Sequence, residues 1–501
     1  MCAACRFACG GTLHLILKEM KTLFSYMKFI LLAIALGWQS CSDDKVEGAE
    51  FSLSRDGQEV TELTFGYSDM YMLVTLTSNT GWSLNSNQPW CTLSNVSGEA
   101  TTGQTIRVAV QQNTTGQTRT AQLTFDAGGN VRQYTVTQTA EGADTYPAGM
   151  EEDALEWARS IYAGINLGNT LESTGGETAW GAPLTSQAII DYMKEMGFDA
   201  VRLPCSWNQY LEADGLTVQP SWMARVKEVV DYCINADMHV MLNIHWDGGW
   251  MQEHCDASVD TEETIAGIES KLYNIWTQIA TTFRDYDGRL AFAGANEPAV
   301  SNRDDMYVLA RYEQAFVDAV RATGGNNTWR NLIVQGPNTN IDYTDLWMEL
   351  PEDPTPGRLM VEVHHYPYNF TINEDPETCT YFWGEPYAQY GPVDEGYQED
   401  YNISQFAKMQ ARFVERGIPV ILGEYGVAYR THPDPTLQSV CEDSEGYYLG
   451  HVAREAKNHG LVPFLWDTPG CRLYDRTTLQ IVLPTIYDQL MAGHEAGQYP
   501  F

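Results

Sequence analysis

Eight short apolar runs, each followed by a stretch with helical spacing, recur between residues 162 and 466, and no other feature restricts the fold as tightly. The runs lie at 162–166, 200–203, 240–243, 290–293, 332–334, 359–363, 420–422 and 462–466. Between them, Ile189, Ile190, Met193 and Met196, or Trp222, Val226, Val230 and Cys233, are spaced to line one helix face. Continuous apolar strands alternating with amphipathic helices are the pattern of a parallel sheet covered by helices. Eight repeats in roughly 350 residues fit a (β/α)8 barrel with long loops. An open doubly wound sheet is the rival, but no glycine-rich phosphate loop follows the first run.

Upstream the pattern changes. Residues 45–141 are rich in Thr, Ser, Val, Gly and Asn, and alternate as short strands at 63–67, 72–76, 106–110, 121–125 and 133–137, which is an immunoglobulin-like sandwich in miniature. Its order of Gly-Trp-Ser at 81–83, Pro-Trp-Cys at 89–91, Thr-Arg-Thr-Ala-Gln-Leu-Thr at 118–124 and Val-Thr-Gln at 136–138 resembles BACON-type modules. Trp82 and Trp90 can be read as sugar platforms or as core, and core is the commoner fate of an aromatic in a small sandwich. The module therefore reads first as a spacer. Residues 142–150 read as a linker, and 151–501 as the barrel domain.

The N-terminus reads as an address. After Lys21 and Lys28 the apolar run 29–36 is too short to span a bilayer, and it leads to Cys41 followed by Ser42, Asp43 and Asp44. This resembles a bacterial lipoprotein signal, with Cys41 as the lipidated first residue of the mature chain, although Trp38 stands where an aliphatic residue is usual. The resemblance implies export across the inner membrane and an outer-membrane lipoprotein facing the cell surface, with residues 1–41 as the targeting and cleavage region. Cys2, Cys5 and Cys9 lie upstream of the cleavage point, and the remaining cysteines are widely spaced, with no CxxC pattern and no disulfide framework. A formal net charge of -36 sets the surface against nucleic acid and anionic lipid as main partners.

Polar residues recur where the apolar runs end, which in a barrel is where loops open into a cleft. Arg202 lies in the second run, His245 after the third, Asn296 and Glu297 after the fourth, His364 and Tyr366 after the sixth, Glu424 after the seventh, and Trp466 ends the eighth. Glycoside hydrolysis needs one acid to protonate the departing oxygen and one carboxylate to attack the anomeric carbon. Strands four and seven face one another across a barrel mouth, so Glu297 and Glu424 can form that pair. Unequal acidities are expected, with Arg202, His364 and Tyr366 supplying the difference: a guanidinium and a phenolic hydrogen bond beside Glu424 favour its ionised form, and Glu297 keeps its proton in a drier setting. Adjacent His364 and His365 point apart on a strand and no third ligand has zincin-like spacing, so neither metal nor cofactor is expected.

Val-Arg-Leu-Pro at 201–204, Leu-Asn-Ile-His at 242–245, Ala-Asn-Glu-Pro at 295–298, Val-His-His-Tyr at 363–366, Leu-Gly-Glu-Tyr-Gly at 422–426 and Phe-Leu-Trp at 464–466 together resemble the consecutive signatures of glycoside hydrolase family 5. The opening Gly-Ile-Asn-Leu-Gly-Asn-Thr-Leu at 164–171, Glu-Thr-Ala-Trp-Gly at 177–181 and Tyr-Pro-Tyr-Asn-Phe at 366–370 are similar to its endo-β-1,4-glucanase and xyloglucanase branch. The resemblance implies a retaining hydrolase with Glu297 as acid/base and Glu424 as nucleophile, Asn296 and His245 on the reacting sugar, and Trp466 as its floor. Trp246 replaces a second histidine and Cys205 a valine found in many members, departures that bear on subsite preference. Trp180, Trp246 and Trp383, on loops after strands, are candidate sugar platforms, among other cleft aromatics that include Trp207, Trp250 and Tyr368. The substrate expected is a β-linked glucan such as xyloglucan, acted on by a monomer. A β-mannanase or xylanase is the nearest alternative, and a non-catalytic surface glycan-binding protein the alternative of another class.

Overall fold

A computed structural model describes residues 46–501 apart from positions 47, 56, 57, 67–70, 112, 114 and 141–146. Cys41, the targeting segment and most of the expected linker lie outside the described residues. The N-terminal module is two packed five-stranded sheets. One orders the strands Gln58–Glu59, Phe51–Arg55, Tyr71–Ser78, Thr101–Val110 and Cys91–Leu93; the other orders Glu62–Phe65, Asn130–Gln138, Arg119–Ala127, Trp82–Ser86 and Ser97–Gly98. Alternate residues of both sheets face inward, so Leu53, Phe65, Leu76, Leu84, Val108, Leu123, Phe125 and Val136 form the core. Trp82 belongs to that core at 4 % exposure, and Arg119 stacks over the half-buried Trp90 ring at 4.2 Å, so neither offers an open platform.

The C-terminal domain is a closed barrel of eight parallel strands in sequence order. Strands one to eight are Gly164–Asn166, Ala200–Leu203, His239–Asn243, Leu290–Ala293, Leu332–Asn340, Leu359–His365, Val420–Tyr425 and Leu461–Leu465. The two faces of each strand fill two separate cores, which is why the runs are apolar throughout. Val201, Leu203, Leu242, Phe292, Val334, Val361, Val363 and Leu422 point outward against the helices. Ala200, Met241, Ala291, Ala293, Ile333, Met360, Ile421, Val462 and Phe464 fill the interior, and the helix Ala154–Ser160 closes its base through Ala154, Trp157 and Ala158. That helix starts on a capping box, in which Asp153 and Glu156 each accept the other's backbone N–H. The expected helix faces are buried as spaced, Ile189, Ile190 and Met193 in Gln187–Glu195 and Trp222, Val226, Val230 and Cys233 in Pro220–Asn235.

The sandwich docks on the helix Arg303–Ala322. The Tyr71 hydroxyl lies 2.7 Å from Asp318 Oδ1 and 3.1 Å from the Glu352 carbonyl, and Arg107 covers the Tyr71 ring at 3.9 Å while pairing with Glu352. Asp318 lies in the C-terminal half of a helix that returns antiparallel to the strands, so this contact lies toward the end of the barrel away from its mouth.

Candidate active site

Period-two alternation carries polar side chains up the interior wall above the apolar plug. Arg202 stands two residues above Ala200, Asn243 two above Met241, and Glu362 then His364 two and four above Met360. Arg202 is fully buried and serves four partners. Nη1 donates to Glu424 Oε1 at 2.8 Å and to Asn166 Oδ1 at 2.9 Å, Nη2 donates to Asn296 Oδ1 at 2.7 Å, and Nε pairs with Glu362 Oε1 at 2.9 Å. A guanidinium with five donors on a rigid plane can hold these groups at once, as a lysine could not. Asn296, its oxygen occupied by Arg202, is left with its amide N–H groups to donate toward a sugar.

Glu424 is the penultimate residue of strand seven, beside a register shift, where His364 pairs with Glu424 but Val363 with Leu422. Gly423 is the residue skipped, because a Cβ there would stand 2.0 Å from Glu362 Oε1. Glu297 follows strand four in the left-handed region, at φ 44°, a conformation a non-glycine residue adopts at a cost. That turn lifts its side chain into the cleft, where it is 47 % exposed against 8 % for Glu424. His364 bridges them: Nδ1 lies 2.7 Å from Glu297 Oε1 and 3.7 Å from Glu424 Oε2, and Nε2 lies 3.2 Å from Glu362 Oε1. The ligand atoms of Glu297, His364 and Glu424 all fall within 4.8 Å of one another. Tyr366 donates its hydroxyl to Glu424 Oε2 at 3.2 Å.

Glu362 and Asn166 were not singled out from sequence. Asn166 donates to the Gly423 carbonyl at 2.9 Å and so ties strand one to strand seven. Glu362 is fully buried, accepts from Gln335 Nε2 at 2.6 Å, and is the counter-charge behind both Arg202 and His364. Its signal in the sequence is a lone carboxylate inside an apolar strand, two residues before a histidine and thus on the same face.

The acidities differ, but in the reverse order to the one expected. Burial pushes the Glu297 carboxyl up, yet the hydrogen bond and charge of His364, with Arg202 behind, outweigh it and hold Glu297 below its ordinary value. Burial pushes Glu424 up, and repulsion from Glu297 and Glu362 leaves it above its ordinary value despite His364 and Arg202. Burial opposes a charged His364, but the three carboxylates around it overcome that and push it to about 9. The proton therefore rests on the imidazole, within one hydrogen bond of Glu297. The expected order drew on Arg202, His364 and Tyr366 and on a drier setting for Glu297; it fails because His364 lies nearer Glu297 and because the third carboxylate, Glu362, repels charge on Glu424. The triad also has the spacing of a cation site; the imidazolium supplies the positive charge there.

On the other side of the pair, the His245 and Trp466 rings lie parallel at 8° with centroids 5.9 Å apart. Burial, with the charges of Arg202 and His364, pushes His245 well below its ordinary value, so it is neutral, and Asn243 Nδ2 lies 3.3 Å from its Nδ1. Trp180 and Trp246 are 43 % and 45 % exposed on the loops after strands one and three. Trp383 is not a platform. It is wholly buried, its Nε1 donates to the Tyr397 carbonyl at 2.7 Å, and Tyr448 and His451 pack on its ring, because its loop folds back onto the helix Gln438–Asn458. Trp207 is likewise core, bonded to the Asn243 carbonyl. Cys205 is buried among outward-facing residues and makes no part of the sugar surface.

A (β/α)8 barrel with opposed glutamates after strands four and seven, set in an Arg-His-Tyr network, defines an O-glycosyl hydrolase. Residues 165–470 match the cellulase family, glycosyl hydrolase family 5, and residues 80–139 match the BACON family, described as a putative N-terminal binding domain. The chain belongs to glycosyl hydrolase family 5. It is 31 % identical over 480 residues to the xyloglucan-specific endo-β-1,4-glucanase BoGH5A of Bacteroides ovatus, spanning 90 % of this chain and 93 % of that one. A solved Bacteroides ovatus family 5 xyloglucanase in complex with a XXXG heptasaccharide superposes with a TM-score of 0.66 at 30 % identity, over 89 % of this chain and all (100 %) of that one. XEG5B, a xyloglucan-specific β-1,4-glucanase from a ruminal metagenomic library solved with XXLG, is 41 % identical over 70 % of this chain and 98 % of its own, with a TM-score of 0.65.

Proposed function

We propose that this chain is a retaining endo-β-1,4-glucanase that cuts xyloglucan or a related plant β-glucan, with Glu424 as nucleophile and Glu297 as acid/base. The observation that carries the mechanism is the spacing of the pair. One carboxylate oxygen of Glu297 and one of Glu424 lie within 4.8 Å of each other, a close approach that fits a retaining pair, whose carboxyl groups stand about 5–5.5 Å apart. A sugar ring on Trp466 and His245 brings its anomeric carbon to Glu424 and displaces water from Glu297. Losing that solvation raises the affinity of Glu297 for a proton, and His364 Nδ1 supplies it through the 2.7 Å contact. Glu297 then protonates the departing oxygen as Glu424 Oε2 bonds to the anomeric carbon. Arg202 and Tyr366 hold the attacking carboxylate in place, and the Asn296 amide donates to the adjacent sugar hydroxyl. A water deprotonated by Glu297 releases the glycosyl group in the second step.

The xyloglucan reading is supported by the relatives named above and by the exposed Trp180 and Trp246 beside an open cleft. Lipidation at Cys41, attachment to the outer membrane and action as a monomer belong to the same reading, and the sandwich then serves as a spacer that turns the mouth outward. Reducing-sugar release from xyloglucan, mixed-linkage β-glucan, glucomannan and xylan tests the substrate. Xyloglucan is expected to be cleaved with the highest kcat/KM, and Glu297→Gln to cost a hundred- to ten-thousandfold, roughly the range of general acid catalysis. Preference for glucomannan or xylan would replace the reading by a mannanase or xylanase, and retention without release by a glycan-binding protein.

A further inference from the structure

Strands four and seven divide the barrel mouth into two halves. Trp466 and His245, the floor for the reacting sugar, belong to strands eight and three, so the glycone half is the one carried by strands eight, one, two and three. The opposite half is carried by strands five and six, and there a cavity of about 340 Å³ opens directly beside His364 and Tyr366. It lies between the end of strand five, the turn after strand six and the helix Glu399–Arg412.

Three features of this cavity point to a neutral sugar. Its walls are phenolic, with Tyr368 and Tyr397 61 % and 42 % exposed and Tyr401 deeper, and aromatic faces pack on the CH faces of sugar rings. Apart from His364, which carboxylates surround, no cationic side chain lines it, and Asp394 and the Lys408-paired Asp342 offer acceptors for hydroxyls rather than a seat for an anion. Gln405 lines the cavity at only 4 % exposure, and its side-chain amide has no partner among the described residues. The amide faces the cavity, where it can exchange water for the hydroxyl of a ligand as both donor and acceptor.

The shape sets which part of a polymer enters. Gln405 and Tyr401 come from one helix that forms the inner wall of the cavity, an arrangement that suits a short side branch better than a backbone that has to run on. The volume is at the small end of the roughly 300–1,000 Å³ usual for small-molecule sites, enough for one or two sugar units. We propose that this pocket binds a sugar branch carried by the leaving-group portion of the substrate, with Gln405 at its base and Tyr368 and Tyr397 as its walls. The leaving-group assignment rests on the roles given above to Glu297, Glu424 and Trp466; the pocket then makes branching a feature the enzyme recognises.

The test compares kcat/KM on xyloglucan, which is branched, with kcat/KM on unbranched mixed-linkage β-glucan, for the whole chain and for Gln405→Leu and Tyr397→Ala. Each variant is expected to lower the ratio of the two about tenfold, the size of one buried hydrogen bond or stacking contact. Tyr397 is a surface wall whose loss leaves the helix intact, so a misfolded Gln405→Leu does not spare the proposal. A ratio unchanged in both variants, or equal losses on both polymers, overturns it. Failure of the substrate reading shows itself separately, as a wild-type chain that cleaves β-glucan but not xyloglucan, and removes the branch pocket with it.

Discussion

Glu362→Gln isolates the group on which the proton account leans. Gln keeps the shape and, with its one oxygen in the Oε1 position, still accepts from His364 Nε2, while its NH2 takes the Oε2 position and Gln335, whose amide now donates there at 2.6 Å, turns to accept; the change removes the charge that lies 3.2 Å from His364 Nε2 and 2.9 Å from Arg202 Nε. An opposite charge within about 4–6 Å typically moves a pKa by 1–3 units, each unit being about 1.36 kcal/mol. His364, pushed to about 9 in the native site, keeps Glu297 and Glu424 as partners. Its value is expected to fall by about one to two units in the variant, toward the lower end because the hydrogen bond survives. The sign follows directly: a weaker counter-charge releases the proton at lower pH. Because kcat/KM reports groups of the free enzyme, its alkaline limb should move acidward by the same amount, with the rate at the optimum much less affected. The limb belongs to the coupled triad, so the shift and not its absolute position is the readout. An unmoved alkaline limb in a folded Glu362→Gln enzyme would refute the storage of the proton on His364.

Glu313, on the inner face of the helix Arg303–Ala322, is 4 % exposed with neither side-chain oxygen in a well-formed hydrogen bond among the described residues, and burial, only partly offset by the Gln335 backbone N–H, pushes it well above the carboxylate range. A raised folded value favours the neutral acid, so the native state loses about 1.36 kcal/mol per pH unit above an unfolded value of about 4.3, up to the raised value. Glu313→Gln should therefore raise Tm at pH 8 and leave it nearly unchanged at pH 4.5; an offset equal at both pH values contradicts this. For the anchor, labelling of the chain with a fatty-acid probe in a bacterial host is expected and should vanish in Cys41→Ala, whereas label surviving that change would reject Cys41 as the attachment point.

Much of the architecture was legible because the barrel's two cores leave their strands apolar on both faces, so eight runs are visible without any knowledge of contacts. The convergence of the two carboxylates was legible for a related reason: Glu297 and Glu424 follow or break an apolar run at its carboxyl end, and only a barrel brings those ends together. Glu362 was not, because a carboxylate in mid-strand reads as an exception until alternation places it on the face of His364. Trp383 misled because a tryptophan on a loop after a strand looks like a platform, and nothing in the local sequence says that the loop folds back onto the helix Gln438–Asn458. The order of acidities failed for lack of distances. Which carboxylate His364 favours depends on 2.7 Å against 3.7 Å, and no pattern of residues carries a one-ångström difference.

Covalent capture tests the two-carboxylate mechanism most directly. With a 2-deoxy-2-fluoro cellobioside bearing a good leaving group, the intact mass should rise by one glycosyl unit, and peptide mapping should place the adduct on Glu424. An inactivated enzyme modified at another residue, or turnover of the reagent to product of inverted anomeric configuration with no adduct, would contradict it.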